Sequence, residues 1–307
     1  MNVLAFDTSN YTTSVALFDG VRGNNASRLL DVPDGALGLR QSDALFAHVK
    51  RLPELTDRLF SDFTALAAVG ASTRPRAVDG SYMPCFLAGM SQAQVLASAL
   101  KVPFYAFSHQ QGHIAASLFS SGHMELMDKP HLAWHLSGGT TELLYVTPEG
   151  VGVRAEKIGG TTDISAGQLI DRTGKLLGLS FPSGKELDAL SRRAQDKSFF
   201  RVKVHGTEFS LSGVQNQVEA YHQAQAAETA GYALRSLITA ILAATENALT
   251  QHPACPVVFS GGVASNALLR ECCAGLPVIF CPPQYSTDNA LGIAVLTWRA
   301  HHAAAGL

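Results

Sequence analysis

A repeated design limits how this chain can fold more than any other feature of it. Residues 2–18, NVLAFDTSNYTTSVALF, run from an apolar stretch through a polar turn at Asp7, Thr8, Ser9 and Asn10 into a second strand-like stretch from about Thr13. Residues 131–146, HLAWHLSGGTTELLYV, repeat the pattern. Alternating Leu132, Trp134 and Leu136 lead into Ser137-Gly138-Gly139-Thr140, and an apolar stretch then returns. Two strand-turn-strand units so far apart imply an internal duplication, hence two similar lobes whose turns face one another across a cleft where a nucleotide can lie. With 307 residues, 47% of them hydrophobic, the chain is long enough for two cores.

The turns are rich in groups that bind phosphate. Without a Cβ at Gly138 and Gly139, backbone N–H groups can close on an anion, and the Ser137, Thr140 and Thr141 hydroxyls add donors. A glycine pair is also what any tight hairpin uses, so the motif counts only beside others. Further on, Val257-Val258-Phe259 ends in Ser260-Gly261-Gly262-Val263, with Asn266 opening a helix, which offers a further phosphate or adenosine site. A helix expected to be capped by Asp163 would carry Gly167, Asp171 and Lys175 in line. There Asp171 either accepts from ribose hydroxyls or pairs with Lys175. The turn Phe181-Pro182-Ser183-Gly184 starts the next helix.

Ser108 is placed to cap a helix that brings His109 and His113 onto one face, their Cβ atoms roughly 5–6 Å apart. Such a pair also arises on solvated helices, so a third ligand is needed. Asp288, within Ser286-Thr287-Asp288-Asn289, is either the N-cap of the last helix or that ligand. Two imidazoles and a carboxylate suit Fe(II), and Zn(II) accepts the same set. The remaining histidines, including His48, His123, His252, His301 and His302, read as surface residues. Ser42 is the expected cap of an earlier helix, which Pro53 should interrupt. Arg74 and Arg76, in the loop after a strand at residues 66–70, either grip an anion or are solvated.

A formal charge of −2 gives no global attraction to a polyanion, so nucleic acid would need a local patch or a partner protein. Five cysteines without a C-x-x-C pair point to a reduced, cytoplasmic compartment. No apolar run approaches the roughly 20 residues of a membrane span, so no membrane anchor is expected.

Seven segments in this order resemble the TsaD/Kae/Qri family, formerly called glycoproteases. They are DTSNYTTSVALFD, HQQGH, LSGGTTELLYV, DISAGQLIDRTGKLLGL with FPSG, FSLSG, SGGVASNALLR and STDNA. The resemblance implies an α/β, two-lobed fold of the actin, sugar-kinase and Hsp70 ATPase kind. An N-terminal lobe over 1–108, to which the last helix at about 288–307 returns, and a C-terminal lobe over 109–287 are expected. The implied activity is transfer of a threonylcarbamoyl group from ATP-derived threonylcarbamoyl-adenylate to the N6 amine of the tRNA adenosine beside the anticodon. Carried over by position, one Fe(II) or Zn(II) per chain falls to His109, His113 and Asp288. The adenylate falls to Leu136, Ser137, Gly138, Gly139, Thr140, Asp171, Gly184 and Asn266. Gly261 and Gly262 of the third glycine turn join the nucleotide site, and Asp7 and Ser9 are the catalytic candidates. The implied partners are tRNA, reached through TsaB/TsaE-like subunits, in a homodimer or heterodimer. Against the family's E-T-S-C-D-E-T turn, residues 7–13 lack two carboxylates. The histidine of S-G-G-H-T is Thr140, the glutamate of A-G-E is Gln168, and the G-P-G-L segment is replaced by residues 73–84. These departures leave open two alternatives: a nucleotide-binding assembly subunit without transfer activity, and a carbamoyltransferase with another acceptor.

Overall fold

The computed structural model describes residues 1–9, 11–31, 39–60, 65–222, 224–282 and 290–306. The chain divides into two compact units, Met1–Lys129 with Thr147–Ala155 and Tyr285–Leu307, and Pro130–Val146 with Glu156–Gln284.

In the first unit, β1 (Asn2–Asp7) and β2 (Thr12–Phe18) form the first antiparallel hairpin, with Ala5 opposite Ala16. Val3, Leu4, Ala5 and Phe6 are all buried, because β1 is an interior strand covered on both faces. The polar β3 (Gly23–Leu29) forms the edge, pairing with β2. Helix α1 (Gln41–Asp57) follows. It starts one residue before Ser42, with Arg40 at the N-cap position, and it runs through Pro53 without breaking. Leu52 and Leu55, both buried against the core, offset the hydrogen bond that the proline removes. β4 (Leu66–Arg74) extends beyond the expected strand and lies parallel to β1, followed by α2 (Phe86–Leu100) and β5 (Phe104–Ser108). The sheet order is β3-β2-β1-β4-β5.

From β5 the chain passes directly into α3 (His109–Ser121), which packs against α9 (Leu291–Ala304). A Cβ on Gly292 would overlap the Gly112 carbonyl oxygen, so glycine permits this approach. That packing puts α3 in the first unit, whereas the boundary drawn from sequence had put it in the second.

The second unit is built on β6 (His131–Leu136), β7 (Thr141–Glu149), β8 (Gly152–Thr161), β9 (Val204–His205), β10 (Glu208–Phe209), β11 (Val257–Ser260) and β12 (Val278–Phe280). They are ordered β12-β11-β6-β7-β8-β10-β9. β6 and β7 are the second hairpin, and β6 pairs in parallel with β11 as β1 does with β4. Helices α4 (Ala166–Leu176), α5 (Gly184–Ser191), α6 (Ser212–Tyr221), α7 (Ala226–Gln251) and α8 (Ala267–Cys272) complete it. Trp134 is buried at the centre of this core and donates from Nε1 to the Thr245 hydroxyl of α7 at 2.9 Å, so its one polar atom is satisfied. Among the described residues no helix is long and apolar enough to cross a membrane.

Candidate functional site

Each unit carries its own cluster. In the first, the apolar run of β1 ends in Asp7, which is 2% exposed. One carboxylate oxygen accepts from the Ser9 N–H at 3.0 Å and the Ser72 hydroxyl of β4 at 2.9 Å. The other lies 2.7 Å from His109 Nδ1. A buried carboxylate so bonded favours the Nδ1–H tautomer of His109 and leaves Nε2 as the lone-pair atom. Ser108 starts α3 with a capping box. Its hydroxyl accepts from the Gln111 N–H at 3.2 Å, and the Gln111 side chain accepts from the Ser108 N–H at 2.9 Å. With the first turn so held, the i, i+4 spacing brings His113 Nε2 to 2.9 Å from His109 Nε2.

These two nitrogens fit a shared cation. Ligand nitrogens about 2.1 Å from one ion and roughly at right angles would stand about 3 Å apart, and a carboxylate behind one imidazole is the usual support of such a ligand. Asp288 lies outside the described residues, and among the described residues no group of three or more His, Cys, Asp or Glu side chains is arranged to hold a metal. The Ser9 hydroxyl is buried and has no hydrogen-bond partner among the described residues. Thr8 fastens the same turn to α2, donating to the Cys85 carbonyl at 3.0 Å and accepting from the Gly89 N–H at 3.1 Å. His48 is not a surface residue. It is fully buried, with Nδ1 2.8 Å from the Thr13 hydroxyl.

In the second unit, the turn between β6 and β7 closes on itself. The Ser137 N–H donates to the Thr140 carbonyl at 2.8 Å, and the Thr140 N–H donates to the Ser137 hydroxyl at 3.0 Å. A Cβ on Gly138 or Gly139 would meet nothing within 4 Å, so both face open space. Helix α4 abuts this turn. Ser165 donates its hydroxyl to the Gly138 carbonyl at 2.6 Å, and a Cβ on Gly167 would overlap the Gly138 backbone. Ser165, not Asp163, is the N-cap, in a capping box with Gln168. Gln168 therefore does there what a glutamate would do. Asp163 instead accepts from the Ser210 and Ser212 hydroxyls and from the Leu211 and Ser212 N–H groups, which accounts for the FSLSG segment. Burial alone would push its pKa up, but these bonds outweigh that and hold the carboxyl well below its ordinary range.

A cavity of about 460 Å3 opens here, within the roughly 300–1,000 Å3 typical of small-molecule sites. Gly138, Asp171, Gly184, Gly262 and Asn266 line it, together with Asp188, which sequence reasoning missed. Asp188 accepts from Asn266 Nδ2 at 3.0 Å and from the Ala267 N–H at 3.1 Å, while Asn266 Oδ1 caps α8 through the Leu269 N–H at 2.9 Å. Asp171 accepts from the Ser183 N–H at 2.9 Å and makes no ion pair with Lys175 among the described residues. At two further expected site residues, the Leu136 side chain is wholly buried in the core, and a Cβ on Gly261, at φ +92°, would overlap the Leu136 carbonyl.

Residues 38–295 match the TsaD family, described as tRNA N6-adenosine threonylcarbamoyltransferase. The protein of that name from Thermus thermophilus is 35% identical, over 98% of this chain and 93% of its own. The chain belongs to this family. Among solved structures, HypF from T. kodakarensis is similar with a TM-score of 0.65 at 14% identity, over 99% of this chain and 48% of HypF. A ROK hexokinase from Thermus thermophilus gives a TM-score of 0.52 at 14% identity, over 97% of this chain and 98% of its own. At such identities the likeness concerns fold alone: this TsaD-family chain shares the α/β fold of these two proteins.

Proposed function

We propose that this chain transfers the threonylcarbamoyl group of threonylcarbamoyl-adenylate to the N6 amine of the tRNA adenosine next to the anticodon. The observation that carries the reading is end-to-end similarity to a transferase of that name in a chain that retains both the paired imidazoles and the glycine-lined cavity. The same similarity favours transfer over the readings as an inactive assembly subunit or a carbamoyltransferase with another acceptor.

In this reading the adenylate occupies the cavity of the second unit. Asp171 accepts from ribose hydroxyls, and the Ser183 N–H keeps its carboxylate turned toward them. Backbone N–H groups around Gly138, Gly139 and Gly262, where no Cβ intervenes, hold phosphate oxygens. Ser137 and Thr140 lock the turn that presents them, and Asn266, held by Asp188, meets the base. The N6 lone pair attacks the carbamoyl carbon and the C–O bond to phosphate breaks. AMP departs with the bonding electrons, and the N6 proton passes to solvent. No nucleophile of the protein is needed, since orienting two bound reactants can contribute about 7–11 kcal/mol.

His109 and His113, with Asp288, would hold one Fe(II) or Zn(II), which supplies a Lewis acid for substrate carboxylate or phosphate oxygens. Asp7, read from the sequence as catalytic, acts here as a positioning residue for His109, while the Ser9 hydroxyl, without a hydrogen-bond partner among the described residues, donates to a substrate oxygen. The balance of charge, −2 overall, is consistent with TsaB/TsaE-like partner subunits that help bring the tRNA, in a homodimer or heterodimer in the cytoplasm.

The test is to mix the purified chain, alone and with such subunits, with threonylcarbamoyl-adenylate and unmodified tRNA, then digest the RNA and weigh its nucleosides. One modified adenosine per AMP released is expected. Adenylate binding without modification in every combination would refute the reading.

A further inference from the structure

A second cavity in the same unit, about 490 Å3, shares Gly138 and Asp171 with the first. Its wall also contains Arg172, Lys175, Phe181 and Ser183. Phe181, in the turn between α4 and α5, is 82% exposed, an unusual place for a phenyl ring with a cavity beside it. Lys175 is exposed and makes no ion pair among the described residues. Arg172 is steadied by donating to Gln215 Oε1 at 2.6 Å. The one carboxylate in the wall is Asp171, already engaged by the Ser183 N–H, so two cations face one anion.

An exposed aromatic face beside two cations, one of them held in place, is the chemistry that receives single-stranded nucleic acid, the ring stacking on a base and the cations meeting phosphates. A chain with a net charge of −2 has to recruit a polyanion through such a local patch. We propose that this second cavity is the dock for the acceptor RNA strand, with one base stacked on Phe181 and a backbone phosphate between Lys175 and Arg172. The proposal rests on the transferase reading, and it adds the residues that receive the acceptor. Sharing Gly138 and Asp171 with the donor cavity, the dock brings the two substrates to adjoining walls.

The test measures equilibrium binding of a labelled, unmodified anticodon stem-loop RNA to the full chain by fluorescence anisotropy, together with the affinity for a non-hydrolysable adenylate. Phe181→Ala is expected to weaken RNA binding about 10-fold, with Phe181→Trp retaining it. Lys175→Glu is expected to weaken it about 10-fold and to lower the salt dependence by about one unit of slope, and both variants should keep adenylate affinity. Wild-type protein that binds no RNA, or variants that bind it within twofold of wild type, would overturn the proposal. So would a loss confined to adenylate affinity, which would make the cavity part of the nucleotide site, or to affinity for a TsaB-like subunit, which would make Phe181 a protein contact. Wild-type transfer is scored separately. Transfer with unaffected RNA binding in the variants refutes the dock alone, and variant-sensitive RNA binding without transfer refutes the transferase reading alone.

Discussion

The two clusters are built on opposite principles. Around Asp7 the working parts are side chains: a buried carboxylate bonded to Ser72 of β4 and to His109 of α3, a second imidazole one turn along that helix, and the buried Ser9 hydroxyl, which has no hydrogen-bond partner among the described residues. Around Gly138 the working parts are backbone groups made reachable by missing side chains, and the side chains present there mostly hold backbone in place, as Ser165, Asp188 and Asn266 do. In the proposed reading, the contrast teaches that one chain can make a cation site by bringing side chains together and a nucleotide site by leaving them out. A substitution should therefore fail differently in each. Deleting a side chain damages the first cluster, and adding one damages the second.

The largest effect expected on the side-chain cluster is from His109→Ala. Metal analysis of the purified variant should show the bound equivalent lost, and transfer should fall about 1,000-fold, roughly 4 kcal/mol of transition-state stabilisation. A variant that keeps its metal would break the comparison at its first term. On the backbone cluster, Gly261→Ala adds a Cβ against the Leu136 carbonyl at φ +92° and should cost about 3 kcal/mol or more in urea unfolding. Its neighbour Gly262→Ala meets nothing within 4 Å and should stay within about 0.5 kcal/mol of wild type, while lowering adenylate affinity. Equal destabilisation by the two would show that the turn is not read one glycine at a time.

A smaller effect sharpens the role of Asp7. Asp7→Asn keeps the shape but weakens the acceptor behind His109, so metal affinity measured by chelator competition should drop about 10- to 100-fold, about 1.4–2.7 kcal/mol. An unchanged affinity would mean that Asp7 does not act through the imidazole.

The smallest effect lies outside both clusters. Asp163 is held below its ordinary pKa of 3.8, so its contribution is present above that value and is lost as pH falls through the lower folded-state value. Asp163→Asn should cost about 1 kcal/mol at pH 7, a figure kept low because the carboxylate is partly exposed, and the gap between variant and wild type should shrink in acid urea titrations. A gap that persists at low pH would assign the loss to packing instead of charge.

Much of this was legible in the amino-acid sequence, for local reasons. The hairpins at residues 2–18 and 131–146, the cap at Ser108 and the facing of His109 and His113 follow from alternation, capping chemistry and helical spacing, all set within a few residues. What was not legible was long-range. Asp163 looked like a helix cap because it precedes α4, but its partners Ser210 and Ser212 lie more than 45 positions away. Asp171 and Lys175 stand one turn apart, yet the carboxylate is taken by a backbone N–H in the turn at Ser183. Pro53 did not end α1, because tertiary burial of Leu52 and Leu55 outweighs a local helix breaker. His48 was read as solvated because nothing near it in sequence marks Thr13 as its partner. Ser72 and Asp188 carry no motif, and only the fold reveals them behind Asp7 and Asn266.

The central claim, that a metal-dependent transferase works with a cation on its paired imidazoles and a nucleotide in its glycine-lined cavity, is tested most directly by single-turnover transfer in chelator-stripped protein before and after addition of Fe(II) or Zn(II). The account predicts modified tRNA adenosine only after metal is restored, with His109→Ala silent throughout yet still binding the adenylate. Transfer at the same rate in stripped protein or in His109→Ala would contradict it.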